Sequence, residues 1–136
     1  MKSIIICASL LLGLAFQSCS KEVSLSKEDK LTSGLWNFDS YTSSNPSLTI
    51  EPCSFDNSIQ FFKDGVVYFD EGDILCPDSD QNGQATWVFG DSDDILIITE
   101  DEFSIPITIL SLSGSKLVIE QESPFLDGTM TVEYKH

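Results

Sequence analysis

The sequence predicts an all-β domain of eight antiparallel strands, closed into an up-and-down barrel. Three observations carry this. From Leu35 onward, short runs of alternating or apolar residues recur, split by turn residues, and no long run repeats at the helical period. The connections between runs are mostly short, which makes consecutive strands antiparallel neighbours. Eight such strands form either a sandwich or a barrel. A barrel leaves no unpaired edge, and strict nearest-neighbour order favours it over the sandwich.

The strands follow in order. Trp36-Asn37-Phe38-Asp39-Ser40-Tyr41 alternates and opens the set. Residues 59–62 and 66–69 flank Lys63-Asp64-Gly65, a hairpin signal because glycine accepts a positive φ. Residues 85–89 and 95–99 flank Gly90-Asp91-Ser92-Asp93-Asp94. Residues 103–110 and 116–121 flank Ser113-Gly114-Ser115, and residues 129–134 close the chain.

The segment before these strands has a different character. Met1-Lys2-Ser3 gives a positive start, and residues 4–16 form an uncharged, mostly apolar run. That run is shorter than the roughly 20 residues a membrane-spanning helix needs. Residues 1–18 therefore read as a signal peptide. The run ends in Phe16-Gln17-Ser18-Cys19, which resembles the lipobox of bacterial lipoproteins. The resemblance implies cleavage before Cys19 and lipid on its thiol, an anchor worth ~0.8 kcal/mol per buried CH₂. Residues 19–30 are then a polar tether, with one helical turn expected from Ser26, where Ser-x-x-Asp resembles a capping box. Ser20-Lys21-Glu22 resembles the acidic export signals of surface lipoproteins in gut Gram-negative bacteria. The expected location is the cell envelope, lipid-anchored at the outer membrane on its periplasmic face or at the cell surface.

Charge excludes some partners. After Cys19 the chain carries six lysines, no arginine and twenty-two acids, a formal charge of about −16. Such a surface repels phosphate backbones and anionic headgroups, so nucleic acid is not an expected partner. Cysteine usage is equally informative. With Cys7 in the signal and Cys19 lipidated, Cys53 and Cys76 remain in an exported chain and are expected to pair as a disulfide. No CxxC spacing or neighbouring histidine suggests a redox or metal pair.

Catalysis finds little support. His136 is the only histidine, no serine has a histidine partner, and no spacing singles out a pair of acids, so no enzyme is expected. Asp78-Ser79-Asp80-Gln81-Asn82-Gly83 matches the start of a calcium loop, in which alternate oxygens converge on the ion. Asp78, Asp80 and Asn82 are thus candidate Ca²⁺ ligands. Phe89 stands where the closing glutamate belongs, and a solvated turn is the competing reading.

Gly34-Leu35-Trp36 sets a Gly-x-Trp at the start of the first strand. Cys53, a phenylalanine hairpin with Asp-Gly, Cys76, Gly83 and Trp87 follow in that order. Together these resemble the lipocalin-like domain of envelope lipoproteins of Gram-negative gut bacteria, over residues 31–136. The resemblance implies a lipocalin-like barrel whose tryptophan closes the base. The arginine that usually packs on that tryptophan is absent.

In such a barrel, loops 42–57, 71–84, 101–102 and 123–128 share one end, which lets Cys53 meet Cys76. The tether enters at the other end, so the long-loop mouth faces away from the membrane. Long loops on a rigid scaffold usually carry function. Acids cluster there, as do Leu48, Ile50, Phe125 and Leu126, residues of the kind that plug a barrel or form a contact surface. Trp36, Phe38, Phe61, Trp87 and Phe125 are the candidate ligand contacts. Eight-stranded barrels either fill with side chains or hold one small ligand. Two functions follow: a carrier of a small apolar or amphipathic molecule, or a packed interaction module, accessory to a cell-surface complex.

Overall fold

The computed structural model describes residues 24–77 and 82–136. Eight strands run in chain order: β1 (Leu35–Ser43), β2 (Ser58–Phe61), β3 (Val66–Asp70), β4 (Asn82–Phe89), β5 (Ile95–Glu100), β6 (Phe103–Leu112), β7 (Lys116–Glu122) and β8 (Thr129–Lys135). Each pairs antiparallel with its neighbours in sequence, and β8 returns to pair with β1, closing the barrel. The expected fold is thus the observed one, with strand boundaries shifted by up to three residues.

Alternation decides which side chains face inward. Trp36, Ile59, Phe61, Val67, Ala85, Trp87, Leu96, Ile107, Ile109, Leu117 and Ile119 form one buried cluster. Register shifts after Phe38 in β1 and after Ile109 in β6 interrupt the period. A shift of this kind bends and twists the strand, which helps a sheet curl closed.

A short helix, α1 (Lys27–Leu31), caps one end. The Ser26 side chain accepts from the Asp29 amide at 3.0 Å, which fixes the first turn. Leu31 at the other end of the helix is fully buried. Its carbonyl accepts from the Trp36 indole Nε1 at 2.8 Å. The ion pairs Lys27–Asp94 and Lys63–Asp29 fasten the helix to the turns beside it. The stretch from Ser26 is therefore docked to the barrel rather than a free tether. Five residues do not make a stable helix alone. Burial of Leu31 supplies what propensity lacks.

Gly65, at φ +85°, makes the tight β2–β3 turn on this base. Its amide donates to the Phe62 carbonyl at 3.0 Å. The opposite end carries the longer loops. Cys53, in a 3₁₀ turn at Pro52–Ser54, forms a disulfide with Cys76, joining the β1–β2 and β3–β4 loops across a Cα separation of 5.2 Å. Among the described residues no helix is long and apolar enough to cross a membrane.

Candidate functional site

The inward face of β6 shows where the barrel stops being solid. Exposure falls from 78% at Phe103 to 44% at Ile105, 7% at Ile107 and 5% at Ile109. These residues alternate along one strand and share a face. Large apolar side chains that face inward yet meet solvent line a cavity. Ile107, deeper on the same face, lines a cavity of about 370 Å³ that opens at the end of the disulfide-joined loops. A second hollow of about 300 Å³ adjoins it, sharing Phe69, Ile98, Glu100, Ile107 and Gln121 and reaching out to Phe103 and Ile105.

The walls are Ile59, Phe61, Phe69, Leu96, Ile98, Ile107, Leu117 and Ile119, and Gly83 leaves a gap beside Phe69. Tyr134 of β8 also lines the cavity. Burial pushes its phenol up from 10.0 to about 12, so it stays a neutral hydrogen-bonding group at ordinary pH. Polar residues ring the opening: Asn57, Ser58, Asp70, Glu71, Glu100 and Gln121. Apolar walls with a few polar groups, at a volume of roughly 300–1,000 Å³, are what small-molecule sites require.

The five aromatic candidates separate. Phe61 lines the cavity. Trp87 lies below it, its indole Nε1 donating to the Phe62 carbonyl at 2.9 Å and its ring meeting Phe61 and Phe89 edge-on. Trp36 is fully buried at the helix-capped base. Phe38 stacks on Phe55 at 5.3 Å and meets Tyr134 edge-on, forming a side wall rather than a cavity surface. Phe125 stands 91% exposed in the β7–β8 loop, beside a shallow surface hollow and away from the barrel cavity. Of the four apolar loop residues, Leu48 is buried and Ile50 half-buried, while Leu126 is exposed like Phe125.

Of the calcium-loop residues, Asp78 and Asp80 lie outside the described residues. Asn82 begins β4, opposite Asp70. Among the described residues no group of three metal-ligating side chains comes together. Cys19 also lies outside the described residues.

One acid of the β1–β2 loop, Asp56, organises the mouth. Asp56 Oδ2 accepts from the amides of Asp73 and Ile74 at 2.7 and 2.9 Å. A Cβ on Gly72, whose φ is +69°, would lie 2.5 Å from that oxygen. Glycine is therefore required for the carboxylate to reach the disulfide loop. The Glu71-Gly72-Asp73 turn was the available signal.

The sequence matches the lipocalin-like domain family over residues 32–119. The chain belongs to that family. No curated protein matches it. Among solved structures this lipocalin-like chain resembles bovine odorant-binding protein in several forms. In complex with its natural ligand, that protein is 19% identical, with a TM-score of 0.51 over 85% of this chain and 76% of the other. In complex with a selenium-containing odorant the values are 19% and 0.52, over 85% and 75%. A deswapped triple mutant gives 20% and 0.50, over 79% and 74%. At this identity the likeness is one of fold. The family match stops within β7, and the barrel is completed by the remainder of β7 and by β8.

Proposed function

We propose that this chain is a cell-envelope lipoprotein, anchored through lipid on Cys19, whose lipocalin-like barrel holds one small apolar or amphipathic molecule. The observation that carries the binding reading is the apolar cavity of about 370 Å³ at the end of the disulfide-joined loops. Membership of the lipocalin-like family supports it, as do the bovine odorant-binding protein structures of similar fold, which are complexes with a natural ligand and with a selenium-containing odorant. The anchor rests on the Ser18-Cys19 junction after the apolar run, and the export signal on Ser20-Lys21-Glu22. An anchor at Cys19, which precedes α1 in sequence, would hold the helix-capped base toward the membrane and leave the mouth facing away from it.

The test has two parts. Labelled fatty acid fed to cells making the chain is expected on the parent and absent from Cys19→Ser. Organic extraction of the parent purified from membranes is expected to release a stoichiometric small molecule. Equal labelling of both chains defeats the anchor. An empty extract, with no uptake of the neutral dye N-phenyl-1-naphthylamine, defeats the carrier. The second reading, an accessory protein of a surface complex, draws on Ile74, Leu75, Phe103 and Phe125, apolar and exposed around the mouth. A stoichiometric protein in the same purification, with no small molecule, would favour it.

A further inference from the structure

The barrel wall is notched on one side of the mouth. β6 pairs with β5 from Phe103 onward, but its ladder with β7 begins only at Thr108, opposite Glu120. From Phe103 to Ile107, β6 therefore pairs with β5 alone among the described residues. At the rise of a strand this leaves roughly 16 Å of β6 edge unpaired on that side. β7 continues through Gln121 and Glu122 paired only with β8. Pro106 lies at the break. The Ile109 amide donates to the Asp94 carbonyl at 2.7 Å, so odd-numbered residues of this stretch turn their backbone groups to β5 and even-numbered ones to β7. Pro106 thus lacks an N–H where the β7 ladder would continue.

A second, independent observation comes from the side chains at the notch. Phe103 and Ile105 belong to the inward face of β6, yet they are 78% and 44% exposed. With Ile107 and Gln121 they line the hollow of about 300 Å³, which shares its inner wall with the barrel cavity. The cavity therefore continues sideways to water through the notch. β1 also outruns its neighbour, pairing with β2 only over Leu35–Asn37. There the loop beyond folds back on the strand. The Phe38 amide donates to the Asn57 carbonyl at 3.0 Å, and Phe55 packs on Phe38 and Tyr41. Nothing comparable covers Phe103 and Ile105 among the described residues. Exposed apolar surface continuous with a cavity marks a ligand contact.

Resting on the carrier reading above, we propose that the notch is the outer half of the ligand site and that the barrel takes a single-chain amphiphile. Its alkyl chain starts against Leu117 and Ile119 and leaves between β6 and β7 over Ile107, Ile105 and Phe103. Its polar end stands in water beyond Phe103. A compact molecule in the inner cavity would leave Phe103 and Ile105 wet, whereas an unbranched chain covers both.

The test measures binding of 1-octanol and 1-hexadecanol to the full chain in zwitterionic nanodiscs, with uptake by empty discs subtracted. The long alcohol is expected to bind about tenfold or more tightly than the short one, because only it covers the notch. Phe103→Ser with Ile105→Ser alters two exposed residues. It should bring hexadecanol close to octanol and leave octanol binding as in the parent. Equal binding of the two alcohols by the parent overturns the notch, as does a variant that weakens both alike or neither. Uptake of N-phenyl-1-naphthylamine with neither alcohol bound overturns the chain class and leaves the carrier reading standing. Absence of dye and alcohol binding together removes both.

Discussion

The imidazole of His136 stacks on the indole of Trp36, ring centroids 3.9 Å apart and 27° from parallel. His136 Nδ1 lies 2.8 Å from the Leu35 carbonyl oxygen, and Nε2 lies 3.0 Å from the Ser33 hydroxyl. The residue after β8 thus lies over the start of β1, where the barrel closes. This explains the glycine of Gly-x-Trp. A Cβ on Gly34 would meet His136 at 3.1 and 3.3 Å, so a bare backbone lets the imidazole settle on the indole.

His136→Ala is expected to lower stability by about 1 kcal/mol, the scale of an aromatic pair beyond its buried area. Gly34→Ala should destabilise the parent by displacing the ring and cost less once the ring is gone. Urea unfolding of both single variants and the double variant measures this coupling. Strict additivity would mean that Gly34 serves some purpose other than seating His136.

Breaking the Cys53–Cys76 bridge releases two mouth loops from each other. In the chain-entropy model a loop of this length is worth ~3 kcal/mol. Cys53→Ser with Cys76→Ser should therefore lower the urea midpoint by a corresponding amount, and reductant should do the same to the parent alone. A double variant as stable as the parent would show that Asp56 and its amide partners hold the loops unaided.

The strands, their order and the disulfide were legible because each rests on local chemistry: period-2 patterning, Asp-Gly at a turn, and Cys53 and Cys76 as the two cysteines of the strand region. What was not legible depends on register and docking. Nothing local distinguishes Phe61, which lines the cavity, from Trp87, which lies beneath it. The alternation runs through both, and depth along the barrel follows from pairing. Residues 26–30 read as polar because they are polar; their docking depends on Leu31 finding the open base of the barrel. Phe125 looked like a cavity contact by its type and its loop, yet the turn carries it outward. His136 was set aside as a poor catalytic base, which says nothing about stacking.

Alkaline pH should report on Tyr134. Its phenol is raised from 10.0 to about 12 by burial, so the folded state holds the proton more tightly than the unfolded state. The stability this contributes is fully present below pH 10 and is lost as pH climbs from 10 toward 12. Lys135 and Lys63, raised by hydrogen bonds to Asp39 and Asp29, act with the same sign at high pH. The contrast of parent with Tyr134→Phe isolates the phenol. The variant should lose less stability between pH 9 and pH 12, in urea midpoints taken across that range. Parallel curves for the two proteins would place the hydroxyl in contact with water.

Gly83 offers the most direct way to separate an open barrel from a packed one. It lies in β4, opposite Phe69, on the cavity wall. A Cβ there would meet the Phe69 ring at 3.7 Å, an ordinary contact, so a larger side chain grows into empty space rather than into the wall. Gly83→Leu is expected to hold or raise the melting temperature, because it replaces a flexible residue within a strand and buries apolar surface. It should also weaken N-phenyl-1-naphthylamine binding by roughly tenfold or more, since the leucine occupies ligand volume. Trp36→Phe is the control. It leaves the cavity walls unchanged but strips the Leu31 carbonyl of its indole donor, so it should cost about 1–3 kcal/mol of stability. Dye binding should then be unchanged at temperatures where the variant is folded. If Gly83→Leu binds dye as well as the parent, the dye lies elsewhere, and the exposed apolar residues around the mouth are the place to look.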